Sequence, residues 1–290
     1  MEVSKLCIGC EALGGTDWGN FSQEKLEYAI HKSLDLGINF FDIAGVYGLG
    51  LAEKRLSKLL GEHRKNVIIA TKGGLSWGKT NKNKRAKIFK NSSKKALRND
   101  VISSLRRLKL DCLPIFYIHW PDENTPLVES FDEIYSMKKE GLINSIGCSN
   151  FSLNQLNFIT KTYNLDFMQI PLNIINKNTQ LEMINICLKK KIKLIAYNVL
   201  NSGMLTEKIN KNSRFPITDR RSRLNAFKPE NIEDSLKSIE FAKEAASKNK
   251  ISISTYAIKE IINTEGVTSV ITGIKNYSQL LENFKATLEH

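Results

Sequence analysis

Four residues of this chain have side chains that suit acid and base chemistry: Asp42, Tyr47, Lys72 and His119. Asp42, Lys72 and His119 end or directly follow apolar runs typical of buried strands, and Tyr47 lies in a glycine-rich turn. A lysine after such a run has a buried stem, and a buried ammonium needs a carboxylate partner. Asp42 on the neighbouring run can supply it. Taken singly, the other three also suit a turn residue, a half-buried aromatic and a hydrogen-bonded histidine.

A nearby lysine would make the tyrosine a better proton donor. A tyrosine with a pKa near 10 donates its proton slowly at neutral pH, and a cation within about 4–6 Å lowers such a pKa by about 1–3 units. We therefore expect Lys72 to lower the pKa of Tyr47 and Asp42 to keep Lys72 in place and charged. His119 would donate a hydrogen bond to a substrate oxygen and stabilise developing negative charge.

Apolar runs alternate with helical patterns along almost the whole chain, which predicts an α/β fold. The strand predictions are KLCIG (5–9), INFFD (38–42), VIIAT (67–71), LPIFYI (113–118), INSIGC (143–148), FMQI (167–170), IKLIAY (192–197) and TSVIT (268–272). Eight parallel strands with intervening helices in about 250 residues are typical of a (β/α)8 TIM barrel in a single domain. The long connection 198–232 is interpreted as a functional loop.

Polar residues recur where the predicted strands end. Barrel active sites form at the carboxyl ends of the strands, so these side chains should converge on one pocket. Besides the first four residues they are Ser149, Asn150, Gln169 and Tyr197.

The chain has 43 basic and 30 acidic residues, which gives a net charge of +13. The excess of basic residues is most evident in two segments. The first basic segment, residues 73–99, contains no acidic residue. The second is a loop that contains Arg214, Arg220, Arg221 and Arg223. Neither has aromatic residues at stacking intervals or a nucleic-acid motif, so we expect no nucleic-acid partner. Both follow predicted strands, so they could flank the barrel mouth and favour an anionic or sugar-linked substrate. A compositional bias explains them equally well.

The remaining composition fits a cytoplasmic protein with no membrane partner. No apolar run approaches the roughly 20 residues of a bilayer span, and residues 1–10 lack the features of a signal peptide. The five cysteines are scattered, which favours reduced thiols. We interpret residues 1–287 as the barrel domain and the final Leu-Glu-His, 288–290, as a cloning-derived tail.

Two motif matches are set aside. GGLSWGKT, residues 73–80, fits the phosphate-loop pattern, but the basic stretch after it lacks the periodicity of the helix that such a loop must open. The pair Cys7 and Cys10 is a lone CxxC, and without a second ligand pair it predicts neither a metal nor a redox centre.

Five ordered segments resemble the aldo-keto reductase family. They are FFDIAGVYG, IIATKGG, IFYIHWPD, GLINSIGCSNF and ITGIKNYSQLLENFKA, and together they span nearly the whole chain. The resemblance implies a barrel enzyme that reduces an aldehyde or ketone with NADPH, or with NADH as the other coenzyme. Asp42, Tyr47, Lys72 and His119 would then be its catalytic tetrad.

The resemblance also implies how the coenzyme is held. Ser149, Asn150 and Gln169 would hold the nicotinamide carboxamide, and Tyr197 would stack on its ring. The adenosine and its 2'-phosphate would lie against Gly273, Lys275, Gln279, Glu282 and Asn283. Gly273 and Gln279 stand where many members of the family carry lysine and arginine, so Lys275 would have to compensate.

Two other functions stay open. One is a non-catalytic, nicotinamide-binding subunit that senses redox state, against which the intact tetrad argues. The other is a lyase that uses Lys72 to form a Schiff base, which is disfavoured because a paired, charged lysine is a poor nucleophile.

Overall fold

A closed barrel of eight parallel strands forms the centre of the molecule. The structure is a computed structural model and describes residues 1–78 and 86–288. Its barrel strands are β1 (Leu6–Gly9), β2 (Phe40–Asp42), β3 (Ile68–Gly73), β6 (Leu113–Ile118), β7 (Ile143–Ser149), β8 (Phe167–Pro171), β9 (Lys193–Tyr197) and β10 (Val267–Gly273). They follow the order β1-β10-β9-β8-β7-β6-β3-β2 around the barrel. The predicted (β/α)8 fold is confirmed.

Helices surround the barrel. They are α1 (Gln23–Asp35), α2 (Leu51–Leu60), α3 (Lys94–Leu108), α4 (Leu127–Lys139), α5 (Leu153–Ile159), α6 (Leu181–Lys189), α7 (Ile232–Lys237), α8 (Glu240–Lys248), α9 (Ile253–Ile262) and α10 (Tyr277–Lys285). Residues 198–231 contain only short 3-10 turns between β9 and α7. This connection is therefore a long loop, as predicted.

Local sequence explains where several helices begin. Ser152 accepts a hydrogen bond from the backbone N–H of Gln155, whose side chain accepts one from the Ser152 N–H, so α5 begins with a capping box. Ser22 caps α1 in the same way through the N–H of Lys25. These caps fix the points at which the chain turns back from the barrel rim.

The hydrophobic core has two layers. One layer lies inside the barrel and includes Phe40, Ile115, Tyr117, Phe167 and Ile195, all 0–1% exposed. The other lies between the strands and the helices, where strand residues of opposite parity such as Phe41 and Phe116 are buried. Because side chains alternate along a strand, the barrel strands are largely apolar on both faces.

The hairpin after β3 was not predicted from the sequence. Strands β4 (Leu75–Trp77) and β5 (Ile88–Lys90) pair in antiparallel fashion above the barrel rim. Gly73 thus ends β3, residues 75–77 form β4, and α3 begins only at Lys94, which is not the arrangement of a phosphate loop. Lys79 and Thr80 of that motif lie outside the described residues, as do Lys82, Lys84, Arg85, Glu289 and His290.

Within the described residues, none of the helices is both long and apolar enough to cross a bilayer.

Candidate active site

The four candidate catalytic side chains lie at one rim of the barrel. Asp42 is the last residue of β2, Lys72 is the penultimate residue of β3, and His119 directly follows β6. Tyr47 opens the 3-10 turn Tyr47–Gly50 that connects β2 to α2. The strand register aligns Lys72 with Tyr117, two residues before His119. The structure therefore brings together the side chains that the sequence analysis placed at strand ends.

The turn that carries Tyr47 depends on a glycine. Gly48 has a φ of 57°, and a Cβ on it would lie 2.4 Å from the carbonyl oxygen of Gly14. Only glycine tolerates both the left-handed backbone and this close approach. The turn is thereby packed against the turn after β1, which fixes the position of Tyr47.

Asp42 and Lys72 form a buried ion pair. The Nζ of Lys72 lies 2.7 Å from Oδ1 of Asp42, and the two side chains are 1% and 7% exposed, respectively. The ammonium also donates to the carbonyl oxygen of Ile43 at 2.8 Å, and Gln169 Nε2 donates to Asp42 Oδ2 at 2.8 Å. Both carboxylate oxygens are therefore satisfied, as a buried charge requires. The predicted partnership of Lys72 with Asp42 is confirmed.

The expectation that the pKa of Tyr47 is lowered overall is wrong. The ammonium lies 5.2 Å from the centroid of the Tyr47 ring, but its hydrogen bonds go to Asp42 and Ile43. Burial raises the pKa of Tyr47 well above its usual value, and the carboxylates of Glu11 and Asp42 raise it further, against a lowering effect of Arg220. Tyr47 therefore keeps its proton at neutral pH, because desolvation disfavours the phenolate.

His119 is uncharged at neutral pH. Burial, followed by the positive charge of Lys72, lowers its pKa well below the usual value. Its ring lies 5.9 Å from the ring of Tyr47, in an edge-to-face arrangement at 84°. Its Nδ1 is buried and has no hydrogen-bond partner among the described residues. The site thus holds a neutral imidazole and a neutral phenol side by side.

A hydrogen-bond network continues from Asp42 along the rim. Ser149 Oγ donates to Gln169 Oε1 at 3.5 Å, and Asn150 Nδ2 donates to Ser149 Oγ at 3.0 Å and to the His119 carbonyl at 2.9 Å. Tyr197 donates its hydroxyl proton to Asn150 Oδ1 at 2.5 Å. Asn150 has a φ of 63°, which aims its side chain across the rim. These residues form one polar surface beside the tetrad.

The candidate adenosine-binding residues lie at the end of β10, in the turn that follows it and in α10. Gly273 is exposed, and no described atom lies within 4 Å of where its Cβ would be. Lys275 donates to the carbonyl of Trp18 at 2.8 Å, and its backbone N–H donates to Gln279 Oε1. The other two are already engaged: Glu282 accepts from Ser252 and Ser254, and Asn283 donates to Thr272.

Glu11 and Arg220 are charged residues of the rim that the sequence analysis did not assign to the site. Glu11 opens the 3-10 turn Glu11–Gly14, shortly after β1 ends, and Arg220 belongs to the connection after β9. Arg220 Nη1 lies 3.2 Å from Glu11 Oε2. The position of Glu11 two residues beyond β1 was the available signal, since every barrel strand ends at this rim.

The arginines of the second basic loop are mostly paired. Arg220 contacts Glu11, Arg221 contacts Asp219, and Arg223 contacts Asp17. Arg98 of the first basic segment is bound to Glu133 on α4 and to Glu140, which directly follows this helix. These four arginines are thus neutralised by carboxylates within the described part of the chain.

No group of three or more His, Cys, Asp or Glu side chains among the described residues could hold a metal ion.

Comparisons with known proteins identify the family of this chain. The model of the Aldo/keto reductase family matches residues 5–289. Aldo-keto reductase YhdN of Bacillus subtilis is 28% identical over 97% of this chain and 84% of its own length. A "Probable voltage-gated potassium channel subunit beta" of Oryza sativa is 30% identical over 99% of this chain and 88% of its own length.

A solved structure is similar to this chain over almost its whole length. The glycerol dehydrogenase of Gluconobacter oxydans superposes with a TM-score of 0.88 at 30% identity, covering 99% of this chain and 87% of that one. Together, the closed barrel, the rim of polar residues and the family match over nearly all residues lead to one assignment. This chain belongs to the aldo/keto reductase family of oxidoreductases.

Proposed function

We propose that this protein reduces the carbonyl group of a small aldehyde or ketone to an alcohol, using NAD(P)H. The observation that carries the proposal is the arrangement of Tyr47 and His119 side by side, with the buried ion pair of Lys72 and Asp42 next to the Tyr47 ring. A carbonyl oxygen that receives a hydride at its carbon needs a proton donor and a polarising hydrogen bond. Tyr47 and His119 are suited to these two roles.

Each residue of the tetrad has a part in the mechanism. Tyr47 donates its proton to the substrate oxygen, and His119 donates a hydrogen bond that orients this oxygen. Lys72 places a positive charge 5.2 Å from the Tyr47 ring and stabilises the phenolate that forms when the proton leaves. Asp42 and Gln169 hold the ammonium and its counter-ion in place through the contacts described above. A preorganised array of this kind pays no reorganisation cost during the reaction.

The polar surface beside the tetrad fits a nicotinamide coenzyme. A bound coenzyme would supply the hydride. Ser149, Asn150 and Gln169 offer hydroxyl and amide groups to a carboxamide, and the long 3.5 Å contact of Gln169 Oε1 leaves this acceptor available. The half-buried ring of Tyr197 would stack on the nicotinamide.

For the adenosine end we propose Gly273, Lys275, Gln279, Glu282 and Asn283, with NADPH as the coenzyme. Lys275 would have to leave the carbonyl of Trp18 to contact a 2'-phosphate. If it does so, Lys275→Ala raises the Kd for NADPH and leaves the Kd for NADH unchanged. Equal changes in the Kd of both coenzymes, measured by fluorescence titration, would show that Lys275 does not bind the 2'-phosphate.

The substrate is proposed to be a small carbonyl compound. The similarity to a glycerol dehydrogenase supports a short, hydroxylated carbon chain. An anionic group on the substrate would be favoured if the basic segments after β3 and β9 attract it. Efficiencies for neutral and phosphorylated aldehydes that are equal and insensitive to salt would refute such attraction.

The test is consumption of NADPH and NADH against a panel of carbonyl compounds, with Tyr47→Phe as the variant. We expect turnover with the wild type and a decrease of about 10²–10⁴-fold in kcat for Tyr47→Phe, with coenzyme affinity retained. Full turnover in Tyr47→Phe would contradict the assigned proton donor.

The potassium channel β subunits support a second candidate, an accessory subunit that binds the coenzyme as a redox signal. Tight coenzyme binding by the wild type without turnover of any carbonyl compound would favour this function over catalysis.

A further inference from the structure

A second ion pair lies beside the tetrad at the mouth of the barrel. Arg220 Nη1 contacts Oε2 of Glu11 at 3.2 Å and Oε1 at 3.4 Å. The side chains are 28% exposed for Glu11 and 39% exposed for Arg220, so the pair is neither sealed in the core nor freely solvated. We call it the mouth pair.

The backbone holds Glu11 close to Tyr47. The turn Glu11–Gly14 packs directly on the turn Tyr47–Gly50, and a Cβ on Gly14 would lie only 2.7 Å from the backbone nitrogen of Gly48. Arg55 ties the first turn to α2 by donating to the carbonyl of Leu13 at 2.8 Å. The backbone of the turn that carries Glu11 therefore cannot move away from the Tyr47 turn without separating two packed turns.

Arg220 is held from the other side of the mouth. Its backbone N–H donates to the carbonyl of Asp17 at 2.9 Å, and its guanidinium lies 5.6 Å from the centroid of the Trp18 ring. The neighbouring Arg223 forms an ion pair with Asp17. The connection after β9 is thus fastened to the segment after β1, and the guanidinium is fixed beside the Glu11 carboxylate.

Charged and titratable groups face Tyr47 from every side. They are Glu11 after β1, Asp42 on β2, Lys72 on β3, His119 after β6, Tyr197 on β9 and Arg220 after β9. Burial has the largest effect on the pKa of Tyr47, and among the charges Glu11 raises it most, while Arg220 lowers it. Lys72 and Asp42 in turn influence the pKa of Glu11, which places its carboxyl within electrostatic range of the tetrad.

We propose that the mouth pair positions and tunes the proton donor: the Glu11 carboxylate strengthens the hold of buried Tyr47 on its proton, and Arg220 holds this carboxylate and limits its effect. The inference rests on the proposed role of Tyr47. Glu11 and Arg220 are positioning residues, because they act on the reaction through Tyr47.

The pH profile of kcat/KM for carbonyl reduction tests this proposal, since reduction requires protonated Tyr47. Glu11→Gln removes the negative charge and keeps a side chain of nearly the same shape. The alkaline limb of the profile should therefore shift to lower pH by about one unit. Arg220→Gln leaves the carboxylate unbalanced and should shift the limb to higher pH. The double variant should lie between the two single variants.

Asp17→Asn is the matched control. It weakens the ion pair with Arg223, which joins the same two segments, but it leaves the mouth pair in place. A loosened connection would change the KM of the coenzyme in both Asp17→Asn and Glu11→Gln, whereas only Glu11→Gln should move the alkaline limb. An equal shift in the control would overturn the proposal.

A direct titration of Tyr47 decides the matter without turnover. NMR spectra of protein with isotope-labelled tyrosine, with Tyr47→Phe to assign the signal, give the pH at which the phenol ionises. We expect ionisation at lower pH in Glu11→Gln than in the wild type, and an unchanged titration would refute the role of the mouth pair. If the wild type reduced no carbonyl compound, the proposed function would fail, and the NMR titration would still test the electrostatic effect.

Discussion

Two buried ion pairs in this protein have similar chemistry and different surroundings. Lys72 and Asp42 lie at the barrel rim, and Arg107 and Glu53 lie between α2 and α3, where the Glu53 side chain is 0% exposed. In both, the carboxylate accepts one hydrogen bond from a cation and one from a neutral side chain. This second donor is Gln169 for Asp42 and Thr71 for Glu53.

The neighbours of each pair decide its use. Arg107 packs against Gly45 and Gly50 and donates to Ser104, so its pair is enclosed by backbone and helix residues. Lys72 faces the Tyr47 ring, and through Gln169 its partner joins the polar surface that ends at Tyr197. We infer that the Glu53–Arg107 pair joins two helices to β3, while the Asp42–Lys72 pair serves the reaction. Burial of a charged pair is therefore not sufficient to identify a functional site.

The largest expected effect on stability comes from Arg107→Met. This change leaves Glu53 buried without a cation, which should lower the free energy of unfolding by about 3–5 kcal/mol. Urea denaturation measures this loss, and kcat per folded molecule should stay close to that of the wild type. Arg106→Met is the control, because Arg106 is the exposed neighbour on the same helix. A loss of kcat with unchanged stability in Arg107→Met would reverse the roles of the two pairs.

The second largest effect is the pH dependence of stability that comes from Asp100, close to the Glu53–Arg107 pair. Burial raises the pKa of Asp100 to about 6, against the hydrogen bond from the Gly74 N–H, which lowers it. The folded state thus keeps on Asp100 a proton that the unfolded state releases near pH 4. The contribution of this group to the free energy of unfolding therefore falls by about 3 kcal/mol as pH rises from about 4 to 6. Other carboxylates titrate in this range, so the measured quantity is the difference from Asp100→Asn.

Asn at position 100 can still accept from Gly74 but cannot ionise. The stability of Asp100→Asn relative to the wild type should therefore increase between pH 4 and 7, as followed by urea denaturation at each pH. A difference that stays constant across this range would show that Asp100 is not perturbed.

The smallest effect is expected for Gln169→Met. It removes the donor to Asp42 Oδ2 and should lower the free energy of unfolding by about 1–3 kcal/mol, because a buried acceptor loses its partner. If Gln169 also holds the coenzyme, the Kd for NADPH rises in the same variant. Thr71→Val removes the corresponding donor to Glu53 and should cost similar stability with no change in this Kd. Equal coenzyme affinity in both variants would argue against a binding role for Gln169.

Much of this arrangement could be predicted from the sequence because it depends on local patterns. Apolar runs located the eight barrel strands within a few residues, and the need of a buried ammonium for a counter-ion paired Lys72 with Asp42. The hairpin of β4 and β5 was missed because three-residue strands carry little periodicity. The role of Glu11 was missed because its proximity to Tyr47 depends on two turns that pack together after β1 and β2.

The pKa of Tyr47 shows the limit of reasoning from residue types. A lysine near a tyrosine was expected to lower its pKa, but the lysine's hydrogen bonds go to Asp42 and Ile43, and burial dominates. Whether desolvation or a nearby charge prevails depends on distances that sequence spacing does not give.

The central claim is that the Asp42–Lys72 pair serves the reaction. The most direct measurement is the single-turnover rate of hydride transfer in the double variant Asp42→Asn/Lys72→Met, followed by nicotinamide absorbance in a stopped-flow instrument. This variant leaves no unpaired buried charge, so it should remain folded. The account predicts a rate lower than that of the wild type by about 10²-fold or more, and a wild-type rate in the folded variant would contradict it.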